Sequence, residues 1–125
     1  MKKLLVILSV SLITGCSTLQ DLWVASYDTN EYALVNKIRT IAQTSKICDE
    51  STVKNLYLTT VELKNFSQYL PRNRQNNELN ADLLRLVTEL YDKEPPIGQV
   101  YCKAKLNIIE KTAERIQQVT GSKPK

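Results

Sequence analysis

The sequence predicts an all-α fold, a small four-helix bundle, on three observations. Apolar residues recur at three- and four-residue steps through four separate segments of the 125-residue chain. Pro71 and the Pro95-Pro96 pair fall between segments, where a helix must stop. Beyond residue 16 the only glycines are Gly98 and Gly121, and no Asn-Gly or Asp-Gly pair is present to turn a β-hairpin.

The first helix is expected to start near Asp28, because Asp28-Thr29-Asn30-Glu31 has the spacing of a capping box. Leu34, Ile38, Ile41 and Ser45 then form one stripe, flanked by Val35 and Ala42, and the helix runs to about Cys48. A second helix is expected after Ser51, with Val53, Leu56, Tyr57, Thr60, Leu63 and Ser67 on one side and Pro71 as its stop. Arg72-Asn73-Arg74-Gln75-Asn76-Asn77 reads as a polar loop. The third helix carries Leu79, Leu83, Leu86 and Leu90, with Val87 and Tyr91 alongside, and ends before Pro95. The fourth runs from about Gln99 to Thr120 through Cys102, Leu106, Ile109, Ala113 and Ile116, with Gly121 as its stop.

Ahead of these helices lies a three-part export signal. Lys2 and Lys3 precede an apolar stretch, Leu4 to Leu12, that is too short to span a bilayer, which takes about 20 residues. Ile13-Thr14-Gly15-Cys16 follows, and it resembles the lipobox of bacterial lipoproteins. That resemblance implies diacylglycerol on the Cys16 thiol, cleavage just before it, and an N-acyl chain on the new terminus. Ser17 in the next position, rather than Asp, favours transfer to the periplasmic face of the outer membrane. The expected layout is therefore a cleaved signal at 1–15, a lipidated terminus and tether at 16–28, a helical domain at 29–121 and a tail at 122–125. Trp23 in the tether would either pack on the domain or sit at the headgroup level.

Removing residues 1–15 of the 125 leaves 110, enough for one domain with a core. Net charge falls from +4 to +2 with the loss of Lys2 and Lys3, too balanced for a nucleic-acid binder. The chain has no histidine, which removes His-based acid–base catalysis, the common nucleophilic triads and His-ligated metal sites. An enzyme is not expected, and neither a metal nor a cofactor beyond the acyl chains. With Cys16 lipidated, Cys48 and Cys102 are left in an oxidising compartment, where a pair of cysteines reads as one disulfide. No CxxC spacing suggests a redox role.

Other residues admit a functional and a plainer reading. Asp49-Glu50, or Glu89 with Asp92, could act as acid and base, but solvated helix ends account for them far better. Arg72 and Arg74 could grip phosphate or an acidic partner, or merely solvate a loop. Tyr57, Tyr69, Tyr91 and Tyr101 could line a groove or edge the core. Leu58, Val61 and Phe66 on the second helix, and Val100, Ile108 and Val119 on the fourth, widen the apolar faces beyond what a thin bundle needs. Those faces either cover the tether or form a groove for an amphipathic helix.

With a lipobox at Cys16, a short tether, a helical domain of about 90 residues and this cysteine pair, the chain resembles the small lipoprotein pilotins of type II secretion, the PulS/OutS type. Lys46-Ile47-Cys48-Asp49-Glu50-Ser51 is similar to the place where the family's first helix runs into its first cysteine. Asn80-Ala81-Asp82-Leu83-Leu84 through Glu89-Leu90-Tyr91 is similar to its third helix, and Pro95-Pro96 and Cys102 to the turn and second cysteine that follow. The resemblance spans about residues 31 to 120. It implies a protein that holds a C-terminal segment of the secretin in a helical groove and uses the lipoprotein-sorting machinery to carry it to the outer membrane. Leu58, Val61, Leu83 and Val87 are the expected groove residues. A different class is represented by exclusion lipoproteins of phages or conjugative plasmids, which bind an envelope receptor, and a third by periplasmic enzyme inhibitors.

Overall fold

The computed structural model describes residues 25–45 and 47–125. The export signal, Cys16 and the tether up to residue 24 lie outside the described residues. Four helices make up the fold: α1 (Thr29–Thr44), α2 (Glu50–Ser67), α3 (Arg74–Tyr91) and α4 (Gln99–Gly121), and no strand occurs among the described residues. The connections are short, so successive helices run antiparallel. α1 packs on α2 and α4, α3 packs on α2 and α4, and the diagonal pairs make no close backbone contact. The α1–α4 seam is the most extensive and the α3–α4 seam the least.

Local chemistry sets the helix starts. The Asp28 carboxylate accepts from the Glu31 amide at 2.9 Å and caps α1. Only half of the expected capping box forms, because the Glu31 side chain turns into the bundle instead. Asp49 caps α2 in the same way, accepting from the Thr52 amide at 2.8 Å, and hydrogen bonds from Thr52 hold its carboxyl below the usual range. α2 therefore begins before Ser51 rather than after it. α1 stops at Thr44 with Ser45 in extended backbone, so Cys48 lies in the α1–α2 connection and not on the helix.

The largest departure from expectation is at the start of α3. Arg74 to Asn77, expected in a loop, are helical, and Asn76 and Asn80 point into the bundle. Arg72 just before them takes a left-handed backbone, φ 56°, which reverses the chain without a glycine. The Asn76 amide donates to the Thr120 hydroxyl at 2.8 Å, whereas the Asn80 amide makes no hydrogen bond with any described residue.

The core is one layer of aliphatic side chains. Val35, Ile38, Leu56 and Leu63 from α1 and α2 meet Leu83, Val87, Leu90, Ile109 and Ile116 from α3 and α4, all shut off from solvent. The buried stripe of α4 holds the five residues the sequence predicts for it, and Gln117 and Thr120 extend it. Leu34, Ile41, Leu79 and Leu86, expected at the centres of their stripes, lie at the edges of the core.

The two ends of the bundle are closed differently. At the distal end Cys48 and Cys102 form a disulfide with Cα atoms 6.1 Å apart, and the Gln99 side chain bonds both the amide and the carbonyl of Cys48. At the proximal end, where the chain enters at Ala25, a buried polar cluster joins three connections. Lys123 donates to Glu31 at 2.6 Å and to Asn73 at 2.5 Å, and Asn73 donates to Glu31 at 2.6 Å and to the Ser67 carbonyl at 3.1 Å. The Tyr27 amide donates to the Pro124 carbonyl at 2.9 Å, which ties the C-terminal tail to the chain just ahead of α1. Gly121 is the last residue of α4, and its role is space: a Cβ there would stand 3.3 Å from the Tyr32 ring.

Candidate partner-binding site

The loosest seam, between α3 and α4, opens a surface groove of about 430 Å³. Its floor is apolar. Leu79 and Leu86 are half-buried on α3, and Ile108 of α4 stands 47% exposed opposite them, between Asn107 and Thr112. Its rim is charged, with Asp82 and Arg85 on α3 and Lys111 and Arg115 on α4. The lining holds three cations and one carboxylate, with Glu89 and Glu114 just outside it pairing with Arg85 and Lys111.

Periodicity explains why these residues share a face. Leu79, Asp82 and Leu86 recur at three- and four-residue steps on α3, as do Ile108, Lys111, Thr112 and Arg115 on α4. Beside the groove, Glu89 accepts from Lys105 at 2.6 Å and lies 3.3 Å from Arg85. The Lys105 hydrogen bond holds the Glu89 carboxyl below its usual range, and the same bond holds Lys105 above its own. Lys111 reaches Glu114 only at 3.9 Å, and Arg115 makes no ion pair with a described residue. A groove with an oily floor and a basic rim suits an amphipathic helix whose polar face carries carboxylates.

The residues expected to form the partner face are distributed differently. Leu83 and Val87 are fully buried in the core, with no surface to offer, because Asn76 and Asn80 rotate the inward face of α3 toward them. Leu58 is 54% exposed on α2 and Val61 is half-buried there, so these two remain at the surface but outside the α3–α4 groove. The groove uses Leu79 and Leu86, which flank Leu83 and Val87 on the same helix. Cys16 lies outside the described residues.

The remaining candidates have structural work in the fold. Tyr57 and Tyr91 stack with ring centroids 4.2 Å apart across α2 and α3, and Lys93 sits 4.9 Å over the Tyr101 ring. Tyr69 is the exception, 83% exposed at the proximal turn. Arg72 and Arg74 line a second, polar cleft of about 560 Å³ at that end, where Arg74 is 3.3 Å from Glu78. Asp49 is a helix cap and Glu89 an ion-pair partner, and neither faces a second carboxyl across a cleft. Among the described residues no group of three or more acidic, Cys or His side chains is placed to hold a metal, and no helix is long and apolar enough to cross a membrane. Comparisons with protein-family models, curated proteins and solved structures find no match.

Proposed function

We propose that this chain is a lipid-anchored adaptor of the outer membrane, a secretin pilotin, which binds the C-terminal segment of the secretin as a helix and delivers it through lipoprotein sorting. The observation that carries the reading is the α3–α4 groove, where Leu79, Leu86 and Ile108 form an apolar strip edged by Asp82, Arg85, Lys111 and Arg115. The lipobox ending at Cys16 supplies the handle, and the disulfide-stapled bundle supplies the body that carries the groove. A chain without histidine suits a protein that binds and carries rather than turns over a substrate.

Each acyl methylene buried in a bilayer contributes about 0.8 kcal/mol, so two or three chains fix the carrier to the membrane. Cys16→Ala is expected to move the protein out of the outer-membrane fraction and to leave the secretin of the same cell in the inner membrane. Fractionation of both proteins tests this. Unchanged fractionation of the chain contradicts the anchor, and a shifted chain with a correctly placed secretin contradicts the carrier role.

A further inference from the structure

The groove between α3 and α4 does not end at Leu79. Gln75 and Glu78 on α3, Val119 on α4 and Ser122 just past it line the polar cleft of about 560 Å³, and the same two helices run on into the groove one turn further along. Cleft and groove are consecutive stretches of one furrow. Ala25 lines the cleft. Two residues later the Tyr27 amide is held by the Pro124 carbonyl at 2.9 Å, which fixes where the chain joins the domain. The chain ahead of Ala25 therefore starts at the head of the furrow, with no linker in between.

The six residues before Ala25, numbers 19–24, read Leu-Gln-Asp-Leu-Trp-Val, and four of them are apolar. Leu22 and Trp23 follow Leu19 by three and four residues, the spacing that places side chains on one helical face. Asp21 is the only charge, so the segment brings no cation against Lys111 and Arg115 on the rim. Six residues cover about 9 Å as a helix and about 20 Å extended. The stretch of α3 from Glu78 to Leu86 rises about 12 Å, which falls inside that range. The exposed Ile47 and Val100, beside the disulfide, lie beyond it, because α4 is about 35 Å long.

We infer that residues 19–24 fold back into the α3–α4 groove and set Leu19, Leu22 and Trp23 on the strip of Leu79, Leu86 and Ile108. The segment that links Cys16 to the domain then occupies in cis the surface that an incoming amphipathic helix would use. A guest must displace it, and the short connection through Ala25 keeps this competitor at high effective concentration. The inference rests on the groove and the chain entry alone, not on acylation or on the identity of the guest.

Trp23 is the only tryptophan in the chain, so the emission of the full mature protein reports on the segment. The protein is reconstituted in vesicles of phosphatidylethanolamine and phosphatidylglycerol, with and without a headgroup-nitroxide lipid. Its emission is expected to be blue-shifted from that of the urea-unfolded chain, at least threefold less quenched by acrylamide, and indifferent to the nitroxide. Ile108→Glu, at a position 47% exposed, is expected to red-shift Trp23 and raise acrylamide quenching at least threefold, with circular dichroism and melting showing the bundle intact. Ile108→Ser, which adds no charge, should act in the same direction, and Leu58→Glu, 54% exposed on α2, should change neither reading. A wild-type Trp23 as accessible as in the unfolded chain overturns the inference. So does a shielded Trp23 that both Ile108 substitutions leave in place, and quenching by the nitroxide would then assign the segment to lipid. Secretin binding enters none of these readings, so failure of the adaptor proposal and failure of this one are separate results.

Discussion

Lys123→Ala is expected to destabilise the fold by about 3–5 kcal/mol, the usual consequence of removing one partner of a buried ion pair. Glu31 is fully buried and the Lys123 side chain is 7% exposed, so the carboxylate left behind could not be rehydrated without opening the proximal end. Asn73, which donates to one carboxylate oxygen and accepts from Lys123, would lose its own register with α1 and the C-terminal segment. Denaturant unfolding of the wild type and the variant measures the loss. Replacing both ends of the pair, Glu31→Leu with Lys123→Met, should restore much of the stability, since the desolvated charge then disappears. A loss below 1 kcal/mol for Lys123→Ala would mean that the pair is solvated and that the proximal end does not close as described.

Cys48→Ser comes next in size, with an expected loss of roughly 4 kcal/mol from releasing a loop of 54 residues in the unfolded chain. Cys102→Ser should give the same loss within error, and the double substitution should add little, because all three remove one bond. Both cysteines are buried, so reductant should act slowly on the native protein and quickly in denaturant. Additive losses, or a melting curve unchanged by reduction, would show that the bridge contributes nothing to stability.

The sequence made the helix count, the breaks at Pro71 and Pro95-Pro96 and the α4 stripe legible, because each rests on apolar spacing or on proline, and both act locally; the end of α1, which neither marks, falls at Thr44 and not at Cys48. The start of α3 was hidden for the same reason. Asn76 and Asn80 face inward but are polar, so a search for apolar periodicity reads Asn76 as loop and leaves Asn80 off the buried stripe. That misreading rotates the helix: Leu79, Leu83, Leu86, Leu90 and Asn76, Asn80, Leu83, Val87, Leu90 both repeat at helical steps and share Leu83 and Leu90. Only the two asparagines decide between them. Of the four residues expected to line a groove, Leu83 and Val87 are buried by that rotation, and Leu79 and Leu86 take the edge of α3. Glu31 was legible as a capping residue, but its pairing with Lys123, 92 residues away, has no local signature.

The α3–α4 seam is the element on which the functional reading depends. The groove lies at the seam with the fewest backbone contacts, and the disulfide and the buried cluster hold the helices at opposite ends of the bundle. The basic rim predicts sensitivity to charge more than to size. The most direct measurement is a titration of the full chain with a peptide of the secretin's C-terminal segment, followed by calorimetry. Binding at micromolar concentration or tighter is expected, weakened at least tenfold by Lys111→Glu with Arg115→Glu and unaffected by Leu58→Glu on α2. No heat of binding at these concentrations, or binding indifferent to the rim substitutions, contradicts the account.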